Sequence, residues 1–138
     1  MKEHSIIIKT NITTEDITNF LAMEGNGFDY WAEICSDEAD YEEARFRLEK
    51  QTVDENKAAC KVCYEDVLAE ILESGGKLTI YDREKDKDHE LTLKKLLDGF
   101  AYYMKLTASD GRTGIDDMDA EVADQILQFA IFDAVIYG

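Results

Sequence analysis

The sequence predicts an α+β fold in which a small mixed or antiparallel sheet with a β-hairpin packs against about four helices. Two short alternating segments flank a charged turn, which is typical of a hairpin. Longer segments with apolar residues every three or four positions predict helices. Strands and helices do not alternate regularly, which argues against a parallel βαβ fold. The 138 residues give room for a single domain over 1–138.

The first part of the chain predicts a strand followed by a helix. Ser5–Thr10, with the sequence SIIIKT, is short and β-branched, as strands often are. Thr13 is a suitable N-cap for a helix over Thr14–Glu24, because acidic residues follow it and apolar residues recur at helical spacing. Gly25 is a suitable stop for this helix.

The next part predicts a strand, a connection and an ambiguous segment. Phe28–Ile34 alternates apolar and polar residues except at Trp31, which favours a strand. Ser36–Glu43 is interpreted as a charged connection. Ala44–Glu49 alternates again, and both a strand and a helix remain open for it.

The middle of the chain predicts a helix and then the hairpin. Glu55–Ser74 has apolar residues on one helical face, and two glycines follow it. Lys77–Arg83 and His89–Leu93 predict two strands that the charged turn Glu84–Asp88 joins.

The last part of the chain predicts two helices. Thr92 can cap a helix that reaches about Leu106. A loop over Ala108–Met118 follows, and Asp116 or Asp117 starts the final helix.

The end of the final helix carries few charges. Asp124 and Gln128 belong to a polar stripe, but the segment FAIFDAVIY after them does not continue it. A helix that is apolar all round must be buried all round. We therefore expect a central helix, an oligomer interface in which Phe132, Val135 and Tyr137 meet a second copy, or both together.

The charge of the chain limits its partners. Thirty-one acidic and fifteen basic residues give a formal net charge of -16. Such a surface repels nucleic acid and anionic membranes, and it suits a protein partner with a basic surface. The sequence contains neither a run of about 20 apolar residues nor a signal-peptide core, so we expect a cytoplasmic protein.

Few residues suggest catalysis or metal binding. Cys60-x-x-Cys63 has the spacing of a zinc or redox pair, but Cys35, His4 and His89 are scattered along the chain. We therefore expect the cysteines to be small core thiols, and we predict no metal, no cofactor and no enzymatic activity.

Two acidic clusters, with aromatic residues beside the first, are the best candidate for a binding surface. Aromatic side chains among carboxylates can bind a basic and partly apolar partner. A simpler alternative is a solvated face with acids that favour helix starts. The predicted partner-binding residues are Tyr30, Trp31, Glu33, Asp37, Glu38, Asp40, Tyr41, Glu42, Glu43, Asp116, Asp117 and Asp119.

Three motifs together resemble a group of small, acidic phage and prophage proteins. They are Gly25-x-Gly27-Phe28-x-Tyr30-Trp31, the hairpin with Leu78-Thr79-Ile80 and Glu90-Leu91-Thr92-Leu93, and the ending Asp124-x-Ile126-Leu127-Gln128-x-Ala130-x-Phe132-x-x-x-Ile136-Tyr137-Gly138. The resemblance implies an accessory protein of a mobile element and no catalytic residues.

The leading hypothesis is a non-enzymatic protein that inhibits a host factor, such as a CRISPR effector, by occupying its basic groove. A second hypothesis is the capture of a nucleotide immune signal, with phosphate bound by Arg45, Arg47, Arg83 or Arg112. A third is a structural or assembly accessory protein.

Overall fold

The computed structural model describes residues 2–7, 9–54, 62–108 and 118–138. Over these residues the chain forms five α-helices, one π-helical turn and a three-stranded antiparallel sheet, which confirms the predicted α+β class. The helices are α1 (Thr14–Leu21), α2 (Glu38–Asp54), α3 (Tyr64–Glu73), α4 (Leu93–Thr107) and α5 (Ala120–Phe132). The strands are β1 (Ala32–Cys35), β2 (Lys77–Asp82) and β3 (Lys87–Thr92), and the π-helical turn spans Glu24–Phe28.

The sheet has the strand order β1-β2-β3, with the predicted hairpin on one side. Ile34 lies opposite Ile80, and Leu78 lies opposite Leu91. Leu78, Ile80 and Asp82 of β2 point into the protein, while the residues between them are more exposed. The hairpin prediction is confirmed, although β3 begins two residues earlier than the alternation indicated.

The core lies between the sheet and the helices. Phe20 packs against Phe28 and Phe100, at ring distances of 5.5 and 6.1 Å. Helices α4 and α5 approach closely at Gly99, where an added Cβ would lie 2.5 Å from the carbonyl oxygen of Ile126. None of the helices among the described residues has the length and apolar character needed to cross a membrane.

Polar side chains cap helices α1, α4 and α5. The Thr13 hydroxyl accepts from the N–H of Asp16 (3.2 Å), and the Asp16 carboxylate accepts from the N–H of Thr13 (2.9 Å). Thr92 caps α4, and Asp119 caps α5 by accepting from Val122 at 2.8 Å. The predicted caps of α1 and α4 are therefore confirmed.

The predicted N-terminal strand is wrong for the residues that the structure describes. Residues 5–7 and 9–10 have no strand partner, and Ile6 and Ile7 are 82% and 95% exposed. A β-branched run has strand propensity, but a strand also needs a neighbour with which to exchange backbone hydrogen bonds.

Two predictions in the next part of the chain are also wrong in extent. The strand predicted over Phe28–Ile34 is shorter, because Phe28 belongs to the π-helical turn and β1 begins at Ala32. The connection predicted over Ser36–Glu43 is mostly helical, since α2 begins at Glu38. Ala44–Glu49, for which both a strand and a helix were open, is helical.

The helix predicted over Glu55–Ser74 is observed as α3 from Tyr64 onward, and residues 55–61 lie outside the described residues. The final helix ends at Phe132, where Asp133 adopts a left-handed conformation with φ of 59°. Residues 134–138, which we call the C-terminal tail, do not extend the helix as predicted. They fold back instead, because a buried side chain of α5 provides hydrogen bonds for the tail backbone.

Candidate functional site

Helix α2 packs against the rest of the protein along one narrow side. Ala44 is fully buried, and Tyr41 and Leu48 are partly buried against the core. Arg47 donates to the Glu70 carboxylate of α3, with an Nε to Oε1 distance of 3.1 Å. Since α2 is long and its buried side narrow, most of its surface faces solvent.

The exposed side of α2 combines carboxylates with one large aromatic ring. Phe46 is 67% exposed. Glu42 precedes it by four positions and Glu49 follows it by three, so helical spacing places both beside the ring. We call this surface the α2 outer face; its residues are Glu38, Glu42, Arg45, Phe46 and Glu49.

Acids dominate the beginning of α2. The stretch from residue 37 to residue 43 contains five carboxylates and no basic residue; they belong to Asp37, Glu38, Asp40, Glu42 and Glu43. Asp37 accepts from the backbone N–H groups of Ala39 (2.9 Å) and Asp40 (3.2 Å). Glu38 and Asp40 lie in the first turn, where the helix dipole favours negative charge, so the fold itself stabilises part of the cluster.

Two of the three basic residues of α2, Arg45 and Arg47, are held by its own carboxylates, and the third is Lys50. Arg45 lies 2.7 Å from Glu42 and 3.8 Å from Glu49, and the hydrogen bond from Arg45 to Glu42 raises the pKa of the guanidinium. Arg47 lies 3.4 Å from Glu43. The acids outnumber these cations, and the surface stays negative.

Glu33 lies on a different element from the rest of the first cluster. It is exposed on β1 and lies 3.6 Å from Arg83. Among the described residues, no hydrogen bond or ion pair joins Glu33 to α2. We therefore treat it as a neighbour of the candidate site and not as part of the α2 outer face.

The prediction that Trp31 anchors a partner is wrong. Its side chain is 0% exposed, and its indole N–H donates to Asp124 Oδ1 at 2.8 Å. Tyr30 is half exposed, but its hydroxyl donates to the other oxygen of Asp124 at 2.5 Å. Burial and this carboxylate raise the pKa of Tyr30. Tyr41 is partly buried, and its ring centre lies 6.0 Å from that of Tyr64, so part of its surface is not available to a partner.

Two described acids of the second cluster have roles within the fold. Asp119 caps α5, and Asp124 accepts hydrogen bonds from inside the protein. Asp116 and Asp117 lie outside the described residues. That both clusters form one patch therefore stays a prediction.

The residues predicted for an oligomer interface are mostly packed within the protomer. Phe132 contacts Trp31 and Tyr137 at ring distances of 5.4 and 5.9 Å. The Tyr137 hydroxyl donates to the buried Asp82 at 2.7 Å. Only Val135 of the three is substantially exposed, at 45%. The rings of Phe132 and Tyr137 pack against the core, and their part in an oligomer interface stays a prediction.

The C-terminal tail is held by Gln128, which the sequence placed on a solvent-facing stripe. Gln128 is buried, and its side-chain oxygen accepts from the N–H groups of Ile136 and Tyr137, both at 2.8 Å. Its amide nitrogen donates to Asp124 at 2.9 Å. We call Trp31, Asp124, Gln128, Tyr137 and Asp82 the tail anchor.

Among the residues that the structure describes, the remaining polar side chains do not form a reaction centre. Cys35 and Cys63 are exposed, which contradicts the expectation of core thiols, and Cys60 lies outside the described residues. Burial and the nearby Glu33 raise the pKa of Cys35, which opposes thiolate formation. Among the described residues, no group of three or more His, Cys, Asp or Glu could hold a metal ion.

The arginines proposed for phosphate binding already face carboxylates. Arg45 and Arg47 pair with acids of α2 and α3, and Arg83 lies beside Glu33. Arg112 lies outside the described residues. A phosphate would have to compete with these pairs, and the geometry does not favour the nucleotide hypothesis.

The sequence reasoning missed Phe46, although a signal for it was present. In a strand, Ala44, Phe46 and Leu48 would share one face; in a helix, Ala44 and Leu48 share a face and Phe46 lies opposite. The ambiguity between strand and helix therefore hid the exposed ring.

Family models, curated proteins and solved structures were all compared with the chain, and none of them matches it.

Proposed function

We propose that this chain is a phage- or prophage-encoded binding protein, not an enzyme, that acts in the cytoplasm of a bacterial host. It binds a host protein with a basic surface and blocks that surface. The best candidate for the partner is a nucleic-acid-handling defence enzyme such as a CRISPR effector. The resemblance of three sequence motifs to small acidic phage proteins supports the mobile-element origin.

The exposure of Phe46 carries this proposal. A phenylalanine that is 67% exposed contributes little to folding, and carboxylates beside it keep the surface soluble. In protein complexes, an aromatic ring that becomes buried on binding, with charged residues around it, is a common anchor of the interface. The α2 outer face therefore has both parts of a binding surface, an apolar anchor and complementary charge.

The mechanism would be electrostatic competition. Nucleic-acid-binding grooves present lysine and arginine to phosphates. The carboxylates at the start of α2 would occupy such a groove, while Phe46 would fill an apolar position within it. The high negative charge would speed the encounter, and added salt would slow it.

The test is capture of host proteins on the immobilised chain, with Phe46→Ala as the main variant. We expect retained proteins to bind DNA or RNA, to be released by added double-stranded DNA, and to be lost at high salt. We expect Phe46→Ala and the charge reversal Glu42→Lys to abolish retention.

The matched control is Tyr102→Ala, which removes a half-exposed ring from α4. It should retain the same proteins as the unmodified chain. If Phe46→Ala retains them equally well, or if retention is indifferent to salt, the α2 outer face is not the binding surface. A nuclease retained in this way should also lose its DNA cleavage activity when the chain is added.

A further inference from the structure

Helix α4 has an exposed side on which apolar and charged residues are mixed. Its opposite side packs on α5 at the buried Gly99. Leu97, Tyr102 and Leu106 are 38%, 46% and 60% exposed, so α4 carries more exposed large apolar side chains than any other described helix. We call this surface the α4 outer face; its residues are Leu97, Asp98, Ala101, Tyr102, Lys105 and Leu106.

A shallow depression lies at the middle of the α4 outer face. Its volume is about 220 Å³, and it is lined by Asp98, Ala101, Tyr102 and Lys105. The Tyr102 ring stacks on Phe129 of α5 at a ring distance of 5.8 Å, which fixes the ring beside the depression. Helices approach one another more closely where the contacting side chains are small, as Ala101 is. A second helix can therefore pack here.

The charges on this surface are arranged symmetrically about the middle of α4. Asp98 and Lys105 lie equally far along the chain from the point between Ala101 and Tyr102, which is close to the centre of Leu93–Thr107. Seven positions place Asp98 and Lys105 on the same side of the helix but about 10 Å apart along its axis. They therefore cannot pair with each other. In an antiparallel pair of α4 helices centred on this point, Asp98 of each copy meets Lys105 of the other.

The ion pair that Asp98 already makes does not prevent this contact. Lys94 lies 3.1 Å from Asp98, and the two side chains are 85% and 55% exposed. Exposed ion pairs of this kind contribute little to stability, and a carboxylate can accept from more than one donor. Lys105 makes no ion pair with any carboxylate in the part of the chain that the structure describes. It is therefore available to a second copy.

We propose that the α4 outer faces of two copies pack antiparallel, with the two-fold axis between Ala101 and Tyr102. The same surface serves both copies, so the assembly closes as a dimer. Burial of the exposed apolar side chains of α4 provides the affinity. The two Asp98–Lys105 pairs determine the orientation and the register of the helices.

Other arrangements of the two helices are less favourable. Parallel packing brings each Asp98 beside its own copy and each Lys105 beside its own copy, and like charges repel. An antiparallel register in which Asp98 meets Lys94 moves the axis to Leu96, which is fully buried. That register also leaves Lys105 and Leu106 outside the contact. The centred register is the one that uses the whole exposed side of α4.

A second copy suits this surface better than a partner of one charge. An acidic partner is repelled by Asp98 and a basic partner by Lys105, whereas an inverted copy offers the opposite charge to each. Helix α4 has three lysines and one aspartate, and it is the one described helix with more basic than acidic residues. Two copies of a chain with net charge -16 therefore repel each other least when they meet at α4.

The test is the mass of the full chain by sedimentation equilibrium at physiological ionic strength, from micromolar to millimolar concentration. We expect the mass to rise from the 15.7 kDa protomer towards two protomers. Asp98→Lys and Lys105→Asp should each weaken association about tenfold or more, because each places like charges at two contacts. Both side chains are exposed, so neither change disturbs the protomer core.

The decisive measurement is an equimolar mixture of these two variants. In the mixed dimer, one copy brings two cations and the other brings two carboxylates to positions 98 and 105, so both contacts are again between opposite charges. We expect the mixture to associate as well as the unmodified chain, although each variant alone does not. A mixture that associates as weakly as its components would overturn the proposal.

The matched controls are Glu15→Lys on α1 and Lys50→Asp on α2, which make the same changes of charge at exposed residues. They should leave association within about twofold. Equal weakening by these controls would mean that net charge alone governs association, and the proposal would fail. A protomer mass at every concentration would also overturn it.

A third variant separates this surface from the C-terminal tail. Val135→Asp introduces a charge at a residue of the tail that is 45% exposed, and it should leave association unchanged. Loss of association in Val135→Asp with none in the α4 variants would overturn the proposal and assign the interface to the tail. The α2 outer face takes no part in this dimer, so the dimer test and the partner test can fail independently.

Discussion

The α2 outer face and the tail anchor are built from the same types of residue and use them in opposite ways. In the tail anchor, the Trp31 indole donates to Asp124, and the Tyr137 hydroxyl donates to Asp82. On the α2 outer face, Phe46 stands among carboxylates with its ring in solvent. Acids beside aromatics are therefore not a signature of one function in this chain.

The difference lies in the polar atom that the aromatic ring carries. Tryptophan and tyrosine can be buried beside a carboxylate because their N–H or O–H groups satisfy it. Phenylalanine has no such group, so a nearby carboxylate needs water or another donor. In the tail anchor, these hydrogen bonds stabilise the fold. On the α2 outer face, the ring and the carboxylates remain exposed and are available to bind a partner.

The largest effect is expected where the tail anchor loses its central acceptor. Asp124→Ala leaves the buried Trp31 N–H without its acceptor and removes one of the two acceptors of the Gln128 amide nitrogen. We expect a loss of about 3 kcal/mol in the free energy of unfolding, since buried donors left unpaired are costly. Urea unfolding measures it.

The control for this change is Glu121→Ala, which removes an exposed carboxylate from the first turn of the same helix. Its effect should stay within about 0.5 kcal/mol. Equal losses in the two variants would mean that Asp124 is only a surface charge and that the tail anchor does not hold the fold.

A smaller effect is expected at the other end of the tail anchor. Tyr137→Phe removes one hydrogen bond from Asp82, which still accepts from the N–H groups of Glu84 (2.9 Å) and Lys85 (3.2 Å). We expect a loss of about 1 kcal/mol at neutral pH, because the acid keeps two donors. Urea unfolding at pH 7 again measures it.

The same tyrosine makes stability depend on alkaline pH. Burial and the hydrogen bond to Asp82 raise the pKa of Tyr137 to about 12, from about 10 in an unfolded chain. The hydroxyl is protonated in both states below pH 10, so its full contribution is present there. Between pH 10 and 12 the unfolded chain ionises first, and stability falls.

The unfolding free energy of Tyr137→Phe should therefore fall less steeply between pH 10 and 12 than that of the unmodified chain. Tyr102→Phe is the control, because its hydroxyl makes no hydrogen bond to the described residues. If the two variants have the same pH dependence, Tyr137 does not hold its proton against Asp82.

The features predicted from the sequence are those that depend on neighbours along the chain. The hairpin follows from two alternating runs and a turn, and the caps at Thr13 and Thr92 follow from residues within one turn of a helix. The buried position of Trp31 depends instead on Asp124, which is 93 residues away in sequence. The residues next to Trp31 in sequence do not predict that contact.

The candidate site was predicted only in part, because the local sequence pattern does not determine all of its features. The acids at the start of α2 could be found by composition, but their helical state could not, because Ala44–Glu49 fits both periods. Gln128 was assigned to solvent by its polarity, and only the returning tail gives its amide two backbone N–H groups to bind. A tail that reverses at Asp133 breaks the helical pattern on which the assignment relied.

The smallest effect on stability is expected at Phe46, and it decides whether the two regions differ as argued. Phe46→Ala should change the free energy of unfolding by less than about 0.5 kcal/mol, because the ring is 67% exposed and alanine is the better helix former. Phe132→Ala is the matched control, and it should cost about 2 kcal/mol because its ring packs on Trp31 and Tyr137. Urea unfolding of both variants gives the comparison. Equal costs would mean that Phe46 supports the fold, and the α2 outer face would then have no free anchor to offer a partner.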